Sequence, residues 1–517
     1  MSNVVRLRPN TGIPLSESTL ELHAKRLTVP TYDRSTLRSS VVHIGVGGFH
    51  RAHQGMYLDD VARQGVSLDW GVLGIGLHRR DMKEALIPQD CLYTVVERGA
   101  EGSSGRIIGA LRRYLFAPDE HAAVVAALAA EQTRLVTLTV TGDGYYRDVS
   151  TGAFDTEHPA IRRDLLRCGP YLTAWAYLVR ALDLRRRNGL PPFTVMSCDN
   201  VPDNGGAARR ALVGFAAQRD PHLAQWIERH VAFPATMVDR ITPVTTDAGV
   251  AAVCDTFGVA DRWPVVAEPF RQWVVEDAFC NGRPPLQEVG VEVVTDVAPY
   301  KLVKTRLLNG THCAMSYLGI LLGYDTTDLA MGDPDMSCYV DRLMQEELCP
   351  LLDGATDVDL DDYRTTVITR LANPAVADKL SRLAARGSTK MPSYLLPSLI
   401  EARSQKRPTP LLTLALAAWF RYLRGYDVRG RAVKIEDQRS SELETLAKVG
   451  ICDPRPLLGQ RDIFGDLADD GDFATTMEHT LREFDSVGVA ATLKKVLGAS
   501  SRGVRWEGND VAAPSCM

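Results

Sequence analysis

The chain has 517 residues, 45% of them hydrophobic and 24% charged, with a formal net charge of -5. That is the make-up of a globular protein of two or three domains with a well-buried core. The modest charge gives no reason to expect nucleic acid or an anionic membrane as a partner, and no apolar run approaches the ~18 residues that span a bilayer.

The ten cysteines show no CxxC spacing and read as reduced thiols of a cytoplasmic protein. No HxH or HExxH pair offers a zinc site, and the first residues lack the apolar stretch of a secretory signal. Residues 1–40 form a lead-in expected to pack through Leu20, Leu22 and Leu27, with Pro30 breaking any helix. Residues 41–44 (VVHI) read as a short buried strand running into Gly45-Val46-Gly47-Gly48-Phe49-His50, with a helix beyond through Tyr57, Leu58 and Val61. A second strand is expected at 70–77, with Asp81 opening the helix after it. Strand, turn, helix and strand make the first half of a dinucleotide-binding unit.

Further strands are expected at 92–96, 106–111, 135–141 and 193–197, and helices at 122–128 and 173–182. This alternation predicts an α/β fold with an open, mostly parallel sheet. After about residue 295 the periodicity becomes helical, at 337–352, 363–371, 375–385, 395–401, 411–422, 440–449, 473–484 and 489–496. The division is therefore 1–295 for a dinucleotide-binding domain with its lead-in and 296–517 for a mainly helical domain. The two are expected to pack around a shared cleft, and residues 500–517 read as a frayed tail.

Gly45-x-Gly47 after a strand permits a tight turn and lets the backbone approach a pyrophosphate at the next helix N-terminus. His50 takes the place of the third glycine of the usual fingerprint; with His53 it could chelate a metal, but packing or a phosphate contact is the expected role. Asp81, past the second strand, is the natural acceptor for the adenosine ribose hydroxyls. NAD is the expected cofactor, while Arg79 and Arg80 leave NADP open.

Residues 301–319 read KLVKTRLLNGTHCAMSYLG. On a helix at about 100° per residue, Lys304, Asn309 and His312 share one side, with Leu307, Leu308, Met315 and Leu318 free to anchor the other. An amine that can act as base, a carboxamide donor and a second polar hand are what oxidation of an alcohol requires when no metal assists. Arg185-Arg186-Arg187 reads as a solvated helix end, and Cys313 as a small buried residue.

Four motifs in order carry a resemblance: GVGGFHRAHQ from Gly45, SCDNVPDNG from Ser197, MVDRITP from Met237 and KTRLLNGTH from Lys304. Together they resemble the polyol-specific long-chain dehydrogenase/reductase family, from about residue 40 to about 498. FTVMSCDN, AEPFRQWVVED and FCNGRPPLQEVGV are most similar to its mannitol 2-dehydrogenase group. The resemblance implies an N-terminal Rossmann-type domain, a mainly α-helical C-terminal domain, a monomer, and catalysis without metal. It implies that Lys304 is the general base, that Asn200 and Asn309 hold the substrate oxygen and that His312 positions it. Asp239, Arg382 and Lys390 match polyol-site positions; Gly45, Gly47, Phe49 and Asp81 match the cofactor side. The chain departs from the family at Lys301 and Gly142, where acids stand in a similar member.

The reaction so expected is NAD-dependent interconversion of a polyol and a ketose, D-mannitol and D-fructose first. To accept a proton, Lys304 must be neutral, against a free lysine value of about 10.4. Hexuronate (fructuronate or tagaturonate) reduction and arabinitol oxidation are the alternatives within the family. A non-catalytic NAD- or sugar-binding protein is the alternative of another class.

Overall fold

The computed structural model describes residues 12–148, 152–166 and 169–500. The chain divides into two compact units, Met1–Val297 and Ala298–Met517.

In the first unit the strands of three or more residues are β1 (Val41–Ile44), β2 (Val72–Gly76), β3 (Tyr93–Gly99), β4 (Gly102–Ile108), β5 (Leu111–Phe116), β6 (Leu135–Leu138), β7 (Thr194–Ser197), β8 (Thr236–Asp239), β9 (Val265–Ala267), β10 (Gln272–Glu276) and β11 (Glu292–Val294). The central sheet is parallel throughout and runs β5-β2-β1-β6-β7. Its four inner and right-hand strands, β1, β2, β6 and β7, are buried at every residue. A parallel sheet covered on both faces requires this, and it explains the short unbroken runs VVHI and LVTL. Side-chain alternation sends Val42 and Ile44 into one core, with Trp175, Tyr177 and Phe215, and Val41 into the other, with Tyr57, Trp70 and Trp273.

The helices that matter for the site are α1 (Gly48–Ala52), α2 (Gln54–Arg63), α3 (Asp81–Leu86), α4 (His121–Ala129), α5 (Ala174–Arg187) and α6 (Asn204–Arg219). The expected helix through Tyr57 and Val61 is broken at His53, whose φ of -121° and ψ of -88° separate α1 from α2.

Two smaller sheets flank the central one. β3 and β4 form an antiparallel hairpin, with β9 parallel to β3. β8 and β11 lie on either side of β10, antiparallel and parallel to it. The strand expected at 106–111 is thus the end of β4 and the start of β5, divided at Gly109-Ala110. In the lead-in, Leu27 is buried and Leu20 packs beside it, but Leu22 is 58% exposed and contributes no core.

The second unit is built of helices around α10 (Pro410–Tyr422), which is buried from Leu411 onward. Before it come α7 (Ala298–Val303), α8 (Thr311–Leu322) and α9 (Leu380–Ala384). Between α7 and α8 the chain winds as a π-helix, Lys304–Gly310; Leu343–Leu348 and Met391–Leu395 do the same. The helix expected at 375–385 is α9 alone, because Ala377 takes a positive φ of 44° and Lys379 is extended. The expected tail beyond residue 500 lies outside the described residues.

Candidate active site

A cavity of about 590 Å³ in the first unit has Gly45, Gly47, Phe49 and Asp81 among its lining residues. It opens where the C-terminal ends of parallel strands meet the glycine turn, the usual ligand position of such sheets. Gly45 has φ +100°, and a Cβ there would lie 2.1 Å from the Thr139 carbonyl oxygen, so no side chain fits. At Gly47 a Cβ would find its nearest neighbour at 3.7 Å. That glycine is not forced by the protein's own packing, and it leaves backbone open to the cavity. Arg51, buried on the same wall, donates from Nε to the Gly47 carbonyl at 3.3 Å and from Nη1 to the Trp263 carbonyl. Its Nη2 has no hydrogen-bond partner among the described residues. An unsatisfied guanidinium nitrogen beside a bare glycine turn suits an anionic group such as a pyrophosphate.

His50 does not face this cavity as a phosphate ligand. Its ring stacks on His43 of β1 with centroids 3.4 Å apart and 12° between planes, while His53 stacks on Phe49 at 4.9 Å. A flat imidazole pair therefore spaces α1 from β1 where a third glycine would otherwise allow close contact. His43 is fixed by Thr137 Oγ1 at 2.7 Å and Thr139 Oγ1 at 3.0 Å, and Thr139 in turn donates to the Gly45 carbonyl at 2.7 Å. Burial pushes His43 and His53 down to about 3, and His50 is also driven well below its ordinary value. The three rings are neutral.

Past β2, Asp81 opens α3 and accepts from the Met82 backbone N–H at 2.8 Å and from Arg79 Nε at 3.0 Å. Arg79 also lies over the Trp263 ring at 5.3 Å. Arg80 turns away, to both oxygens of Asp119 at 2.8 and 2.6 Å.

Asn200 follows β7 and is exposed, whereas its neighbour Asp199 is buried. The Asp199 carboxylate accepts from the Val140 and Thr141 backbone N–H groups at 3.0 and 2.8 Å and from Tyr145 Oη at 2.8 Å. It ties the end of β7 to the loop after β6, where Gly142 stands and where Thr141 and Tyr146 hold positive φ values of 66° and 47°. Strain of this sort persists where surrounding contacts over-determine it. Asp239 ends β8, buried and opposite Gln272 of β10.

In the second unit Lys304 opens the π-helical turn and is 7% exposed; Asn309 and His312 are half-buried. Backbone bonds of the i to i+5 kind add roughly one residue to each turn. This brings Lys304 and Asn309, five residues apart, nearer to one line than a regular α-helix does. The expected anchors Leu307, Leu308, Met315 and Leu318 are all buried. Gly310 lets the turn approach the 391–395 segment, since a Cβ there would sit 3.2 Å from the Tyr394 carbonyl oxygen. Cys313 is buried, and burial raises its thiol to about 12, so it is no thiolate. Arg382 is engaged by Asp378, with Nε to Oδ1 at 2.7 Å. Lys390 caps α9, donating to the Leu383 and Arg382 carbonyls at 2.8 and 3.2 Å, and burial lowers its pKa. Among the described residues no three His, Cys, Asp or Glu side chains cluster as metal ligands.

The family model for the mannitol dehydrogenase Rossmann domain matches residues 39–288, and that for the mannitol dehydrogenase C-terminal domain matches residues 296–485. The chain belongs to the mannitol dehydrogenase family. It is an NAD-dependent polyol dehydrogenase with a Rossmann-type first domain and a helical second one. Mannitol 2-dehydrogenase of Phaeosphaeria nodorum is 43% identical over 491 residues, 93% of this chain and 86% of that protein. Mannitol dehydrogenase 2 of Saccharomyces cerevisiae is 42% identical over 94% of this chain and 98% of that protein. Among solved structures, the Pseudomonas fluorescens mannitol 2-dehydrogenase ternary complex with NAD and D-mannitol matches with a TM-score of 0.82 and 39% identity, over 94% of this chain and all of that one. A substrate-free D-sorbitol dehydrogenase matches with a TM-score of 0.88 and 34% identity, over 93% of this chain and all of that one.

Two residues of this mannitol dehydrogenase family member take roles that their motifs do not reveal in the sequence. Arg51 and Asp199 both stood inside quoted motifs, GVGGFHRAHQ and SCDNVPDNG, beside residues with more familiar chemistry. A charged side chain next to a glycine turn or a strand end was the available signal. What it braces, a carbonyl or two backbone N–H groups, belongs to the tertiary fold.

Proposed function

We propose that this dehydrogenase interconverts D-mannitol and D-fructose with NAD, using Lys304 as general base and no metal. The observation that carries the reading is a buried lysine opening a π-turn, with a carboxamide five residues on and a histidine three beyond. Bound NAD supplies the hydride acceptor. Gly45, Gly47, Phe49 and Asp81 are assigned to its binding, Asp81 to the ribose hydroxyls. As the carbinol C–H is lost as hydride, its hydroxyl proton passes to the Lys304 Nζ, which must be the free amine at that moment. Asn200 and Asn309 donate amide N–H groups to the oxygen as negative charge grows on it; one such donor is commonly worth about 3 kcal/mol in the transition state. His312 orients the same oxygen. Asp239, Arg382 and Lys390 are assigned to the remaining hydroxyls. In the reverse direction the Lys304 ammonium protonates the ketose carbonyl oxygen.

The reading needs one copy of the chain, and the free thiols described, such as Cys91, Cys198 and Cys313, fit a reducing, cytoplasmic setting. The likeness to a D-sorbitol dehydrogenase favours D-sorbitol as the second substrate to weigh, and Lys301, a cation one helical turn before Lys304, keeps hexuronates in view. Initial rates with D-mannitol, D-sorbitol and D-arabinitol, and with fructose, fructuronate and tagaturonate in reverse, test the choice. D-Mannitol and fructose are expected to give the highest kcat/KM. A hexuronate preferred over fructose by tenfold would overturn it.

A further inference from the structure

The turn after β2 and the first turn of α3 carry three cations, Arg79, Arg80 and Lys83, around a single ribose acceptor, Asp81. On sequence alone that is an invitation to a 2′-phosphate. In the fold each cation already has a carboxylate. Arg79 is held by Asp81. Arg80 forms a two-pronged pair with Asp119, at 2.8 and 2.6 Å, and its guanidinium also lies over the Phe116 ring at 5.1 Å. Lys83 reaches Asp119 at 3.4 Å and Glu120 at 3.0 Å. The one carboxylate common to Arg80 and Lys83 is that of Asp119, which is not itself part of the cavity wall.

We propose that Asp119 is a specificity-determining residue that keeps this dehydrogenase on NAD, by holding Arg80 away from the position of a 2′-phosphate. The inference rests on Asp81 being the ribose acceptor.

Asp119 is well placed to act as a fixed lock. Its backbone N–H donates to the Phe116 carbonyl at 3.0 Å, and Ala117 donates to the Gly76 carbonyl at 2.9 Å. The turn bearing Asp119 is therefore tied to the strand end from which the cofactor turn leaves. The Glu120 carboxylate accepts from the Phe116 N–H at 3.0 Å, closing the same turn from inside. A fork of two parallel N–H to oxygen bonds fixes the direction as well as the charge of Arg80. Hydrogen bonds from Arg80 and then Lys83 hold the Asp119 carboxyl below the usual carboxylate range, so the lock is ionised at neutral pH. A 2′-phosphate, with about two negative charges, then meets the Asp81 carboxylate with no uncommitted cation to offset it. Removing the charge at 119 releases Arg80, next to Asp81, while Lys83 keeps its contact with Glu120.

The test is the pair of dissociation constants for NADH and NADPH, read by fluorescence titration of the full chain. Asp119→Asn is expected to tighten NADPH about tenfold relative to NADH, the effect of two charges facing one guanidinium at about 6 Å in a near-aqueous dielectric. Asp119→Glu keeps the wild-type ratio, and Arg80→Ala added to Asp119→Asn returns the ratio toward wild type. The gain must also shrink at high salt, because these groups are exposed to screening. An unchanged ratio in Asp119→Asn, or equal weakening of both nucleotides, overturns the proposal; the latter is what a purely structural residue gives. Asp81→Ala separates the two levels. If it fails to weaken NADH, the ribose assignment falls. If it weakens NADH while Asp119→Asn leaves the ratio alone, only the role of Asp119 falls.

Discussion

His43 and His50 show how one pair of side chains both replaces a motif residue and sets a pH limit. The stacked rings occupy the interface of α1 and β1, with no water-exposed edge on either residue. Burial holds His43 and His53 neutral down to about 3, against an ordinary value of 6.5. The unfolded chain takes up these protons below about 6.5, whereas the folded chain refuses them until about 3. Stability is therefore intact above that window and falls as pH drops through it, by about 1.4 kcal/mol per pH unit for each histidine. Urea midpoints measured from about pH 8 to pH 5 are expected to fall only in the lower part of that range. A His43→Asn variant, which cannot titrate, flattens the slope by one histidine's share; an unaltered slope would contradict the assignment. The position of His50 and the missing glycine are legible in the sequence, but the partner ring is not. His43 lies seven residues earlier in a strand, and nothing in spacing says that its side chain meets the helix.

The π-turn is the element that carries Lys304 and Asn309. Its winding could not be read from KTRLLNGTH, because the buried leucines at 307 and 308 suit α and π geometry alike over so short a span. What the turn requires is close approach at Gly310, where the Tyr394 carbonyl oxygen stands 3.2 Å from the place of a Cβ. Gly310→Val is expected to cost on the order of 1–3 kcal/mol through overpacking, seen as a lower urea midpoint, and to lower kcat. NADH affinity, which the proposal assigns to the first unit, is expected to stay unchanged. A kcat equal to wild type would show that the turn does not position Asn309. Other elements followed their patterns closely: 41–44 was a mostly β-branched run, 193–197 a short run led by Phe193, Thr194 and Val195, and 411–422 an apolar stretch too long for a strand. The failures have local causes. RIIGAL at 106–111 is continuous in hydrophobicity but is cut by Gly109 between two sheets, and 375–385 is apolar enough for a helix until Ala377 turns left-handed.

At the scale of the whole molecule, the order of motifs along the chain was the most legible feature, and it gives the family. Gly45, Gly47, Phe49 and Asp81, the residues proposed for the cofactor, lie together in the first unit, on one cavity. Lys304, Asn309 and His312 lie within nine residues in the second. Arg382 and Lys390 were legible as charges, while their engagement with Asp378 and with the end of α9 was not. Such partners are chosen by helix ends and side-chain reach, which spacing alone does not determine.

The claim on which the chemistry turns is that the Lys304 amine takes the hydroxyl proton. Single-turnover formation of NADH from D-mannitol by Lys304→Ala, with NAD(H) binding measured on the same sample, tests it directly. Hydride transfer is expected to fall by at least about 10²-fold while the nucleotide binds as in the wild type. Hydride transfer at the wild-type rate would contradict it.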